Sequence, residues 1–177
     1  MLIDMMSKSK IVQQSIMKKS EVKFINTGCL TLNLLFSGRL DGGIAIGKVS
    51  QIAAPSSLGK SFIGMKVARN AQSQYGMEVL YLDSEYAYSE DFAEAVGVDS
   101  SKILVVQENG IEEAQTLIVN AIELIPREDR EKLLLIVDSW GGLVTSKTYK
   151  DAMEGKDTTD MTISKKKNSF ARILTGL

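Results

Sequence analysis

The run Ala54-Pro55-Ser56-Ser57-Leu58-Gly59-Lys60-Ser61 limits the folds open to this chain more than any other feature. It has the pattern of a phosphate-binding loop, Gly-x4-Gly-Lys-Ser/Thr, with Ala54 where the first glycine usually stands. Backbone N–H groups around Gly59 can wrap a phosphate as an anion nest. Lys60 adds a point charge, and the Ser61 hydroxyl can ligate Mg2+. A helix starting at Lys60 adds the positive end of its dipole. The motif works only between a strand and a helix. Residues 49–53 are predicted to form the entering strand. Helix-compatible residues follow, with Phe62, Met65, Val67 and Ala68 giving an apolar side. Ala54 is tolerable wherever its φ is negative, since only positive φ demands glycine.

The 177 residues suit one domain, and 44% hydrophobic content is enough for a core. Nothing approaches eighteen consecutive apolar residues, so no membrane span is expected. Residues 1–20 carry Lys8, Lys10, Lys18 and Lys19 without an apolar stretch, so no signal peptide is read. Cys29 is alone, which excludes an intrachain disulfide and fits a reducing compartment. The absence of histidine excludes His-based zinc sites and Ser-His or Cys-His catalysis within the chain. A net charge of −1 hides basic ends and an acidic middle: residues 77–131 hold fourteen acids against Lys102, Arg127 and Arg130. Such a distribution reads either as solvated acidic helix faces or as a basis for self-association or nucleic-acid binding. Lys165-Lys166-Lys167 likewise reads as a solvated helix face or as a contact to phosphates or a neighbouring protomer.

Along the chain, residues 5–19 are predicted to form a basic helix with Met5, Ile11, Val12 and Ile16 on one face. It is too short to stand alone, so it is expected to pack on something else. Residues 24–28 form a turn, and Leu30, Leu32, Leu34 and Leu35 mark a short apolar helix ended by Ser37-Gly38. Strands are predicted at residues 78–83, 102–107 and 133–138, the last an unbroken apolar run of the kind a central parallel strand shows. Helices are predicted at residues 90–96, with Ser89 as N-cap, at residues 111–125, closed by Pro126, and at residues 161–174. Residues 145–160 read as polar and loop-like, with weak helical character. Strands alternating with helices call for an α/β fold, a mostly parallel sheet with helices on both faces. Ligands bind such sheets at the carboxyl ends of the strands. The loop, Asp83-Ser84-Glu85 and Asp138-Ser139 all fall there. Asp138 reads as a magnesium carboxylate beside Ser61 or as the cap of the next turn. Glu85 reads as a group that polarises water for attack on a γ-phosphate or as a solvated acid.

An ordered set of segments resembles the RecA-type recombinases, P-loop NTPases. It comprises residues 24–33, Gly42-Gly43, the phosphate loop, Leu82-Asp83-Ser84-Glu85, Phe92, Gly97-Val98-Asp99 and Leu135-Ile136-Val137-Asp138-Ser139. Asp138-Ser139-Trp140-Gly141-Gly142-Leu143, Ser146-Lys147, Asp151-Ala152, Thr159-Asp160-Met161-Thr162 and Phe170-Ala171-Arg172-Ile173 resemble the UvsX branch of T-even-like bacteriophages in particular. The resemblance implies a RecA-like core over residues 24–177, preceded by an oligomerisation helix and linker over residues 1–23. It implies that Ala54, Pro55, Ser56, Ser57, Leu58, Gly59, Lys60, Ser61 and Phe62 bind ATP. Ser61 and Asp138 then hold Mg2+, Glu85 and Lys60 are catalytic, and Phe92 stacks on adenine. The implied activity is that of a single-stranded-DNA-dependent ATPase of recombination and repair. It would assemble as a helical homo-oligomeric filament, with mediator and single-strand-binding proteins as partners, in the cytoplasm of a phage-infected cell. Because the family continues past this point, the core is expected to be C-terminally incomplete, with weak or no turnover on its own. A ring ATPase of the helicase or clock-kinase kind and a non-catalytic nucleotide-binding assembly factor are the competing readings.

Overall fold

The computed structural model describes residues 22–157 and 162–176. The helix expected over residues 5–19 lies outside them. The core is a three-stranded parallel sheet in which β3 (Glu78–Asp83) lies between β4 (Ile103–Gln107) and β5 (Leu133–Asp138). A separate antiparallel pair joins β1 (Phe24–Ile25) to β2 (Ile44–Ala45).

Alternation along β3 decides which helices cover which face. Val79 and Tyr81 pack with Met65 and Ala68 of α2 (Lys60–Tyr75) and Ala93 of α3 (Glu90–Val96). Leu80 and Leu82 point the other way. They meet Ile111, Ala114, Ile118 and Ile122 of α4 (Ile111–Glu123) and Phe170 of α6 (Ile163–Gly176). Helices on both faces of a parallel sheet are thus realised. Helix α3 starts where its sequence says: Ser89 Oγ accepts from Phe92 N at 3.2 Å, and Glu90 and Asp91 favour the positive end of the dipole.

Four expectations are corrected. Residues 49–53 form no strand, and among the described residues β5 is paired only on its β3 side. Strand β5 is therefore an edge strand here, half-buried throughout, although its run is wholly apolar. The run reports covered faces rather than a central place: Leu133, Leu135 and Val137 pack on the α4 and α6 side, Leu134 and Ile136 on the α2 and α3 side. The polar stretch after Thr145, expected to be loop-like with only weak helical character, forms a full helix, α5 (Ser146–Met153), capped by Thr145 Oγ1, which accepts from Thr148 N at 3.1 Å. Phe62, placed on the apolar side of its helix, is 48% exposed, because that side is made by Met65, Val67, Ala68 and Ala71 instead.

Two further details depart from a pattern-only reading. In α1 (Leu30–Ser37) the buried residue is Asn33, whose Oδ1 accepts from Thr27 N at 2.9 Å and Thr27 Oγ1 at 2.7 Å, while Leu30, Leu34 and Leu35 are exposed. Of the lysine triplet, Lys166 pairs with Glu112 across to α4, and Lys167 Nζ donates to Gly141 O at 3.3 Å. Two of its three side chains therefore hold α6 in place. Lys165 is exposed.

Phe170 is fully buried and stacks on Trp140 at 5.3 Å. Replacing it by alanine is expected to cost about 3–5 kcal/mol, the range for aromatic truncation in a packed core. Urea unfolding checks this, and a midpoint equal to wild type would contradict the packing described.

Candidate active site

The site grows out of register. In the β3–β5 ladder Asp83 stands opposite Asp138, and in the β3–β4 ladder it stands opposite Gln107. Both aspartates end their strands on the face that carries α2. The first turn of α2 brings Ser61 to the same place. Gly59 opens that helix at φ +81°, a left-handed conformation that side chains rarely adopt. Ala54 is not among the positive-φ residues, so the missing first glycine costs the loop nothing in backbone strain. Ser57, by contrast, sits at φ +63°, which pattern matching gave no reason to expect.

Ser61, Glu85, Phe92 and Asp138 line one small cleft of about 50 Å³, together with Met65, Tyr81, Asp83, Ala87, Tyr88 and Ser89. Four of the residues singled out from the sequence therefore meet. The loop residues 54–59 are exposed and do not line that cleft. Lys60 is folded back on its own loop, its Nζ donating to Ala54 O at 3.0 Å and Pro55 O at 2.9 Å. Phe62 lies outside the cleft but packs on Phe92, with ring centroids 6.3 Å apart. Both rings are largely exposed, offering an apolar rim beside the polar cleft.

The two strand-end aspartates are held by different groups. Asp83 is 2% exposed, and its Oδ2 accepts from Tyr88 N at 2.9 Å and Gln107 Nε2 at 3.1 Å, its Oδ1 from Glu85 N at 3.2 Å. Burial pushes its pKa up. The N–H of Tyr88, the Gln107 amide and the N–H groups of Ala87 and Glu85 outweigh that push and hold it below the usual carboxylate value. Asp138 is half-buried and accepts at Oδ2 from the Tyr81 hydroxyl at 2.6 Å. Burial, and then the Asp138 carboxylate, drive the Tyr81 pKa far up, so the phenol stays a donor.

Between the strand ends runs a serine clasp. Ser84 Oγ donates to Ser139 O at 2.6 Å and accepts from Ser139 N at 3.0 Å. Ser139 Oγ donates to Glu85 Oε1 at 2.5 Å and accepts from Gly142 N at 3.1 Å. Glu85 is thus exposed but held. A Cβ on Gly142 would stand 2.5 Å from Ser84 Oγ and 3.3 Å from Glu85 Cγ, so this close approach requires glycine.

The sequence places Asp83, Ser84 and Ser139 at the ligand-binding strand ends without giving them a role, and it does not single out Tyr81. One signal was available: Tyr81 is the single hydroxyl-bearing residue inside an apolar strand, and a buried phenol needs a partner. The donors fit Mg2+, being hydroxyl and carboxylate oxygens. Among the described residues no three His, Cys, Asp or Glu cluster into a metal cage. No helix among the described residues is long and apolar enough to cross a membrane.

Comparison with known proteins gives the same direction. The RecA N-terminal domain family matches over residues 2–174. The chain is 30% identical over 157 residues to the recombination and repair protein of Enterobacteria phage T4, covering 88% of this chain and 39% of that protein. It is 34% identical over 140 residues to protein RecA of Clostridium botulinum, covering 73% of this chain and 35% of the relative. Against protein RecA of Thermus aquaticus the figures are 31% over 137 residues, 77% and 38%. The chain therefore spans less than two fifths of the length of these relatives.

Two outcomes are expected. Because the Asp83 pKa is lowered by folding, the stability it confers is present above the ordinary carboxylate value and lost as pH falls through the lower folded value. The stability gap between wild type and Asp83→Asn, read from urea midpoints, is expected to be full at neutral pH and to close below about pH 4. A gap independent of pH would contradict this. Gly142→Ala is expected to cost about 1–3 kcal/mol, as overpacking does, and to break the Ser84–Ser139 clasp. Unchanged thermal unfolding would contradict it.

Proposed function

The chain belongs to the RecA N-terminal domain family, and we propose that it binds magnesium-ATP at the carboxyl end of its parallel sheet. It does so as the nucleotide-binding part of a DNA-dependent recombination and repair ATPase. The observation that carries this reading is the meeting of Ser61, Glu85, Phe92 and Asp138 in one cleft at the start of α2.

In this reading the backbone of residues 54–59 cradles the phosphates, aided by the dipole of α2. Lys60 exchanges the Ala54 and Pro55 carbonyls for the β/γ-phosphates. Ser61 and Asp138 hold Mg2+, which, when bound, neutralises charge developing on the transferred phosphoryl group. Glu85 orients the attacking water and takes its proton, with Ser139 Oγ fixing the carboxylate. Phe92, flanked by Phe62, receives the adenine ring. ATP held this way would serve a single-stranded-DNA filament of identical subunits, joined through residues 1–23 and served by mediator and single-strand-binding proteins. The setting is the cytoplasm of a phage-infected cell.

Lys60→Ala is expected to weaken Mg2+-dependent ATP retention on a filter by about 10- to 150-fold, the worth of a charge-assisted hydrogen bond. Glu85→Gln is expected to retain ATP like wild type while lowering DNA-stimulated hydrolysis by about 10²–10⁴-fold. A folded wild-type chain with no Mg2+-dependent retention would refute the binding reading. A Glu85→Gln chain that hydrolyses like wild type would refute the role of Glu85.

A further inference from the structure

Phosphate binding and water activation leave the Tyr81 hydroxyl without a task. Tyr81 is 2% exposed, within the apolar cluster of Met65, Ala68 and Ala93, and its ring lies 5.4 Å from that of Tyr88. A phenylalanine would make the same ring contacts without carrying a polar atom into the core. The hydroxyl is nevertheless spent on Asp138 Oδ2, at 2.6 Å. The register explains how it gets there. Tyr81 pairs with Ile136, two residues before Asp138, so tyrosine and aspartate lie diagonally on one face of the ladder. Both line the cleft that Ser61 enters. A ligating carboxylate is oriented by a donor on its other oxygen, and such donors tune metal affinity.

We propose that Tyr81 is a positioning residue for Asp138: its phenol holds Oδ2 and leaves the remaining oxygen for the magnesium ion or for a water that the ion carries. The proposal rests on the reading of Asp138 as the metal carboxylate. It assigns Tyr81 no contact with nucleotide.

The test measures binding of a fluorescent ATP analogue, mant-ATP, to the full chain with Mg2+ and with EDTA, in wild type and in Tyr81→Phe. Mg2+ is expected to strengthen wild-type binding. In Tyr81→Phe that strengthening is expected to shrink by about 10- to 100-fold, with the affinity in EDTA unchanged. A strengthening equal to or greater than wild type in Tyr81→Phe overturns the proposal and leaves the reading of Asp138 standing. A folded wild type that binds mant-ATP equally with and without Mg2+ overturns that reading and the proposal together. A second measurement needs no substitution. The Tyr81 hydroxyl proton, followed by NMR in wild type, is expected to stay hydrogen-bonded when Mg2+ and mant-ATP are added. Its release on addition, the sign of a phenol that competes with the metal, overturns the proposal.

Discussion

The parallel register of β3 and β5 sets two carboxylates side by side at the carboxyl end of the sheet, and the rest of the site follows from how each is satisfied. A buried carboxylate without donors costs several kcal/mol, so the donors decide what each one can do. Asp83 spends both oxygens on the backbone of the loop that follows it and on Gln107. Its work is to fold residues 84–88 into the turn that carries Glu85. Asp138 receives one hydroxyl on one oxygen and keeps capacity for a ligand. Two aspartates that look equivalent in sequence thus differ: the donors around Asp83 occupy both its oxygens, and the Tyr81 hydroxyl occupies one oxygen of Asp138, the carboxylate proposed to face the ligand.

Rigid elements supply most of the site, which is what precise chemistry requires. Ser61 sits on a helix anchored by Met65, Ala68 and Ala71, all buried. Asp138 ends a strand pinned between two apolar clusters. Glu85 lies on a turn, yet the clasp of Ser84, Ser139 and Gly142 ties that turn to the end of β5. The exception is the stretch before Gly59, exposed and bonded mainly through Lys60 to its own carbonyls. Under the proposed function, the parts that would hold a metal and a water are built in, and the part that would wrap phosphate lies open.

Much of this was legible in the sequence, for identifiable reasons. Strands β3 and β5 and helix α3 are strongly patterned, and Ser89 and Gly97 bound α3 with a cap and a stop, so their limits could be read directly. Ser61, Glu85 and Asp138 stand out because they fall at helix and strand ends, with the resemblance to RecA-type recombinases deciding for Glu85, and Phe92 stands out through that resemblance alone. Pairing is where reading failed. The run at residues 49–53 has strand composition, but a strand exists only where a ladder partner takes its hydrogen bonds. The apolar β5 run reads as a central strand because residue type reports covered faces and says nothing of edges. Helix α5 lies among polar residues whose helical character reads as weak, and Thr145 followed three residues later by Thr148 marks its start. Tyr81, Ser84 and Ser139 act through contacts 54 or more residues distant in sequence, which no local pattern encodes.

The most direct test of the shared cleft is NMR mapping of Mg2+-ATPγS onto the assigned amide spectrum. Coincident shifts at Gly59, Lys60, Ser61, Glu85, Phe92 and Asp138, saturating with one affinity, are expected. Shifts confined to the phosphate loop, or scattered away from the carboxyl ends of β3 and β5, would contradict a single magnesium-triphosphate site built on those two strands.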